Sequence, residues 1–337
     1  MMKSILSTLA LVAGSAVAAQ HGPTMHAIQY STYGDSSVLH YNTVRRPDPF
    51  PGQVLIKVAA ASVNPVDVGF RSGGMDRFAE KTPITPGLDV AGTIVAVGEG
   101  VNKDILNTEV WTMLPWSGGG YAEYVAAPQE LVVPKPKTLT LIQAGSLPLV
   151  GLTAYQALFV DGKLKKGDTV LIHGAAGGVG HIAVQLAKQA GARVIGTASA
   201  SNAGYLKSIG VDVVIDYKAE RFEDHAKHVD FVLDTVGRDT LNRSYAVLRR
   251  GGTLISLLET PDAAQMKTFG LRGKRTIVRP VAADLSRLAQ IIDTASIVPA
   301  IKAQYPLEKA AEAQDALDTN KAPGKIVIVI NSTTAQH

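Results

Sequence analysis

The sequence predicts an α/β chain of two parts, a β-rich barrel-like half and a doubly wound parallel sheet. Three observations carry this. From Met25 to about Val150, short β-branched or alternating runs succeed one another, punctuated by Gly and Pro and without long helices. From Gly151 to Ile297, strand-like and helix-like stretches alternate, and parallel neighbours need such crossovers. At the first strand–helix junction of this second part lies a glycine cluster.

The first 19 residues carry Lys3, an apolar run from Ile5 to Val17, and small residues at Ala16-Val17-Ala18 and Val17-Ala18-Ala19. This is the layout of a secretory signal peptide, and the run is too short for a mature membrane span. The expected location is secreted if that signal is used and cytoplasmic otherwise, with no membrane association of the mature form.

In the β-rich half the strand candidates are "HAIQY", "QVLIKVAAASV", "GLDVAGTIVAVG" and "EYVAAP". In the alternating half they are "TVLIH", "ARVIGTA", "DVVIDY", "DFVLDTV", "GTLISLL" and "RTIVRP". Helices are expected at Val179–Gln189, Asn202–Ile209, Thr240–Leu248 and Asp284–Ala295. The tail adds a helix, "LEKAAEAQDALDT", and a last strand, "KIVIVI", that fits either part.

Hydrophobic residues make up 46% and charged ones 18%, enough apolar material for a core. Lys and Arg (33) barely exceed Asp and Glu (29), and no basic block stands out, so nucleic acid is not an expected partner. There is no cysteine. Disulfides, thiolate zinc sites and a Cys nucleophile are thereby excluded.

The glycine cluster reads "DTVLIHGAAGGVGHIAVQLAKQAGA" from Asp168. A short apolar strand precedes it. Val179, Ile182, Ala183, Leu186 and Ala190 follow at helical spacing. Gly174, Gly177, Gly178 and Gly180 remove Cβ atoms where backbone must turn and approach a ligand. The helix N-terminus then offers free N–H groups to a pyrophosphate. Ala176 stands where the middle glycine of G-x-G-x-x-G belongs, and no G-K-[ST] follows, which rejects a P-loop. A dinucleotide is therefore expected, held around Ala176, Gly177, Gly178 and Val179. The second strand ends in Thr197, Ser199, Ser201 and Asn202, with no acid to hold a ribose 2′-OH. Those donors, with Tyr217 nearby, suit a 2′-phosphate and favour NADPH over NADH.

Taken together, "ASVNPVDVGFRSG" (61–73), "PGLDVAGTIVAVGEGV" (86–101), "GGGYAEYVAAP" (118–128), "SLPLVGLTAYQAL" (146–158), the glycine stretch, "VDFVLDTVG" (229–237) and "GKIVIVI" (324–330) resemble the medium-chain dehydrogenase/reductase superfamily. The resemblance is to its zinc-free quinone oxidoreductase and enoyl reductase branch, and it covers nearly all of 25–330. It implies a GroES-like β-barrel-type catalytic domain from 25–150 plus 298–337, a Rossmann domain from 151–297, and an active cleft between them. The metal-binding Cys and His of zinc members fall at Asn64 and Leu88, and Leu88 cannot ligate, so no metal is expected.

The resemblance further implies hydride delivery from NADPH to a quinone or to the β-carbon of an enal or enone, by a homodimer. It places Asn64 beside the nicotinamide or substrate as a donor to a developing oxyanion. Asp67 would orient that loop or merely hold the turn after Pro65. Thr153, at a helix start, would contact the nicotinamide. Thr235, Leu257 and Lys325 would touch the nucleotide. Tyr33, Trp116 and Tyr121 are candidates for the acceptor pocket, and His181 is expected half-exposed on its helix. The alternative is a non-catalytic NADPH-binding relative, crystallin-like or RNA-binding.

Overall fold

A computed structural model describes residues 22–75 and 82–330, so the signal-like segment at 1–19 lies outside the described residues. The β-rich part contains β1 (Thr24–Gln29), β2 (His40–Arg45), β3 (Gln53–Val63), β4 (Asp89–Val97), β5 (Glu109–Met113), β6 (Tyr124–Pro128) and β7 (Val133–Pro134). The alternating part contains β8 (Thr169–Ile172), β9 (Arg193–Ala198), β10 (Val213–Asp216), β11 (Val229–Asp234), β12 (Leu248–Ser256) and β13 (Arg272–Arg275). Two more strands follow, β14 (Ile301–Pro306) and β15 (Lys325–Val329).

The second group forms one six-stranded sheet in the order β10-β9-β8-β11-β12-β13, parallel throughout. The order reverses direction at β8, and the crevice beyond the strand ends there is where such sheets bind ligands. β8, β9 and β11 are nearly continuous apolar runs because helices cover both faces. The helix Gly180–Gln189 buries Ile182, Ala183, Leu186 and Ala187 against them.

The other sheet runs β14-β15-β3-β4-β5-β7, with β6 also paired to β3. The last strand therefore belongs to the β-rich part, where it lies antiparallel to β3 in the register Val63↔Ile326. β3 has three antiparallel partners, β15, β4 and β6. A separate core of Ile28, Val54, Ile56, Val90, Ile94, Ile326 and Ile328 fills this part.

Two elements differ from the sequence reading. The strand expected at "RTIVRP" is Arg272–Arg275 instead, because it can pair only as far as β12 extends, ending at Ser256↔Arg275. Ile277 and Val278 run on beyond the sheet. The helix expected to reach Leu248 ends at Ser244 and tightens into a 3₁₀ turn, Tyr245–Val247, so that Leu248 can open β12.

Candidate active site

A cleft of about 650 Å³ runs between the two sheets. One wall is Val63, Asn64, Pro65 and Val66 from the end of β3 and the helix that follows, Pro65–Arg71. The opposite wall holds the glycine turn (Gly177, Gly178, Val179, Gly180), Thr235, Leu257 and Leu258, which follow β8, β11 and β12. Thr153 and Lys325 also line it.

The glycine turn is shaped by close approach. Gly174 has φ +64°, and a Cβ there would press on the Thr235 hydroxyl. A Cβ on Gly180 would collide with the Gly174 carbonyl, so this glycine lets helix and strand pack together. One on Gly178 would come within 3.2 Å of Lys325 Cδ. Ala176 is buried behind the turn, where its carbonyl accepts a bond from Gly324 N at 3.1 Å and joins the two parts of the fold.

On the barrel side lies a fully buried polar knot. Asn64 Nδ2 donates to Asp89 Oδ2 (2.8 Å) and to Ser62 O (3.4 Å), while Asn64 Oδ1 accepts from Lys325 Nζ at 2.5 Å. Lys325 Nζ also donates to Val63 O (2.7 Å). Asp89 additionally accepts from Ser62 Oγ and from Leu149 N, both at 2.5 Å. Asp67 Oδ2 accepts from Asn64 N (2.8 Å), closing a capping box at the start of Pro65–Arg71, and from Tyr121 OH (3.3 Å). Burial disfavours both ionised forms: it pushes the Asp67 carboxyl above the usual carboxylate range and the Lys325 ammonium below the usual lysine range.

These bonds change several expected roles. Both amide hydrogens of Asn64 are already engaged, so it has no donor left for an oxyanion; it orients Lys325 instead. Asp67 does not line the cleft, and it anchors the Asn64 loop through the backbone. Thr153 lies near the C-terminal end of the helix Pro148–Tyr155, not at its start, and its hydroxyl donates back to Leu149 O at 2.7 Å. Trp116 lines the cleft, but Tyr121 is buried in the knot and Tyr33 is exposed over Gly73. His181 is fully buried, not half-exposed, because Nδ1 bonds Gly177 O (2.9 Å) within the turn.

The remaining nucleotide candidates form a group at the far end of the sheet. Ser199 Oγ lies 3.0 Å from Ser201 Oγ, Asn202 Nδ2 donates to Ser199 Oγ at 3.3 Å, and Tyr217 N bonds Ala198 O at 3.2 Å. Tyr217 is 60% exposed. Thr197 sits behind them, buried, with its hydroxyl against His173 Nδ1 and Gly174 N. None of these lines the cleft proper. Thr235, Leu257 and Lys325 do, although the Thr235 hydroxyl is committed to His173 O (2.7 Å).

Sequence reasoning missed Asp89, Lys302, Met75 and the segment Arg275–Val278, all in the knot or on the cleft wall. An acid amid the apolar "GLDVAG" was the available signal for Asp89. At the position of the metal-binding His, Leu88 is buried. Among the described residues no cluster of three His, Cys, Asp or Glu could hold a metal ion.

The profile described as "Alcohol dehydrogenase GroES-like domain" matches residues 50–137, and that described as "Zinc-binding dehydrogenase" matches 209–328. The chain is 35% identical to a 2-methylene-furan-3-one reductase from Solanum lycopersicum, over 90% of this chain and 79% of that one. It is 34% identical to a chloroplastic NADPH-dependent alkenal/one oxidoreductase from Arabidopsis thaliana, with the same coverage of 90% and 79%. A solved quinone oxidoreductase from Coxiella burnetii superposes with a TM-score of 0.84 at 33% identity, covering 92% of this chain and 100% of that one. With its two sheets, its glycine turn and these relatives, the chain belongs to the medium-chain dehydrogenase/reductase superfamily, in the quinone oxidoreductase branch.

Proposed function

We propose that the protein is an NADPH-dependent oxidoreductase that reduces quinones or α,β-unsaturated carbonyl compounds without zinc. The observation that carries this reading is the cleft itself, which joins the glycine turn to an apolar chamber at Val66, Trp116 and Leu258. The names of the relatives point to the same acceptor classes.

The residues present fit the cofactor. Gly177, Gly178 and Gly180 leave room along the cleft floor, and Lys302 and Lys325 supply positive charge there, with no Asp or Glu among the described lining residues. The Ser199–Ser201–Asn202 group offers hydroxyl and amide donors to a 2′-phosphate and no carboxylate to repel it. Bound NADPH would supply the hydride. The chain's part is to hold reactants in register and exclude water. Lys325, fixed by Asn64 Oδ1 and Val63 O, keeps a cation beside the turn, and Trp116 with the leucines keeps the acceptor end dry.

Zinc independence is supported by the donor set. Leu88 has no ligating atom, and the neighbouring carboxylates of Asp67 and Asp89 face an ammonium, Lys325, already seated in the knot. A conjugated acceptor needs no Lewis acid to take up hydride. Export through residues 1–19 and homodimer assembly complete the reading.

The test is NADPH oxidation at 340 nm by residues 21–337, with a 1,4-quinone and a 2-alkenal as acceptors and NADH in parallel. We expect turnover with at least one acceptor, undiminished by chelators and several-fold faster with NADPH. Ser201→Asp should cut the NADPH-to-NADH preference by roughly tenfold, a cost of about 1.4 kcal/mol. NADPH binding without turnover of any acceptor would give the non-catalytic reading the lead.

A further inference from the structure

We propose that Arg275 recognises an anionic group on the acceptor, so that preferred substrates pair an apolar conjugated body with a remote carboxylate. This rests on the reductase reading and narrows its substrate class.

The cations of the cleft wall are Arg275, Lys302 and Lys325, and no Asp or Glu lines the cleft among the described residues. Two of the three belong to the nucleotide end. Lys325 lies against Gly178, and Lys302 Nζ donates to Asn320 O at 2.9 Å, in the segment whose Gly324 bonds Ala176 behind the glycine turn. Arg275 is at the other end. It closes β13, the sheet edge opposite β10, and three strand steps separate it from β8, where the glycine turn begins. At a spacing of about 4.8 Å per strand this is roughly 14 Å. A nucleotide whose pyrophosphate sits at the turn and whose 2′-phosphate extends toward β9 and β10 leaves Arg275 uncompensated.

Its neighbours are already satisfied. Lys274 Nζ pairs with Asp161 at 2.7 Å, and the Arg272 guanidinium donates to Gly251 O at 3.0 Å. Among the described residues the Arg275 guanidinium makes no hydrogen bond or ion pair. The same cleft has apolar lining residues in Met75, Trp116, Leu258, Ile277 and Val278, the last two following Arg275 within three residues of chain. Arg275 is solvent-exposed, and its guanidinium is shaped to take a carboxylate through two parallel N–H donors. The apolar walls meanwhile suit the conjugated body.

Two acceptors that differ by one carboxylate group test this: 4-phenyl-3-buten-2-one and its para-carboxylate. If only quinones are turned over, a 1,4-naphthoquinone with a propyl or a carboxypropyl chain replaces them. We expect kcat/KM to favour the carboxylate about tenfold, chiefly through KM, with the ratio falling as salt is added. Arg275→Gln should bring the ratio toward one, and Arg275→Lys should restore part of it. Arg272→Gln, on the same strand, should keep the wild-type ratio. Calorimetric binding of the saturated products, 4-phenylbutan-2-one and its para-carboxylate, reads the same selectivity without turnover. Tighter, Arg275-dependent binding of the carboxylate product with no turnover would uphold this assignment and sink the reductase reading. Equal affinity for the two products, or a preference that survives Arg275→Gln, would overturn the assignment whatever the turnover.

Discussion

The two walls of the cleft solve the problem of approaching a nucleotide in opposite ways. The glycine turn does so by removing side chains: Gly174, Gly177, Gly178 and Gly180 bring bare backbone to the ligand, and its chemistry is that of N–H groups. The facing knot does so with side chains alone, since Ser62, Asn64, Asp67, Asp89 and Lys325 satisfy one another out of contact with water. The contrast teaches where each wall is vulnerable. The turn tolerates no added atom, and the knot tolerates no lost one.

The knot should break hardest. Lys325→Met leaves Asn64 Oδ1 and Val63 O without a donor and two buried carboxyls without their cation. Removing one partner of a buried ion pair costs about 3–5 kcal/mol. Urea unfolding should show a loss of that size, and a midpoint equal to the wild type would mean that the knot contributes nothing to stability. The turn should break next. Gly180→Ala places a methyl against the Gly174 carbonyl, and overpacking of this kind costs about 1–3 kcal/mol. NADPH affinity measured by nucleotide fluorescence should fall further than stability does, because the same shift moves the N–H groups of the turn.

A finer comparison concerns two histidines behind the turn. Burial lowers the pKa of His173 to about 3 and that of His181 to about 4. In the unfolded chain each would titrate near pH 6.5, so their contribution is complete above that value. It is lost as pH falls from there toward 4, where the unfolded state binds protons that the folded state cannot. Each should add about 1.4 kcal/mol of destabilisation per pH unit through that window. His181→Gln should therefore flatten the fall of Tm between pH 6.5 and 4 relative to wild type, and parallel curves would assign the acid sensitivity elsewhere.

The legible parts of this site are those contiguous in the chain. The strand, four glycines and amphipathic helix from Asp168 to Gln189 lie within one stretch, and the periodicity of the helix shows which face is buried. The parallel sheet was readable up to its edge, since β8 to β12 carry apolar runs and β13, Arg-Gly-Lys-Arg, carries none. The knot was not. Lys325 and Asn64 are 261 positions apart, and their contact exists only because β15 pairs with β3. Single residues inside it were found by resemblance, but the direction of the Asn64 amide depends on Asp89, whose place in an apolar strand gave no spacing to read. Arg275 escaped notice for another reason. "RTIVRP" has the composition of a strand, and only the length of β12 shows that the chain leaves the sheet after Arg275, with Thr276, Ile277 and Val278 on the cleft wall.

The placement of β15 between β14 and β3 also fixes an order of events during synthesis. At roughly 5–20 residues per second, a ribosome takes on the order of 13–50 seconds to travel from Val63 to its partner Ile326. Throughout that interval all six strands of the parallel sheet emerge and can pair with one another, while the stretch Ala60–Val63 of β3 lacks its neighbour on one side. The barrel half, though first to be made, is the last to be completed.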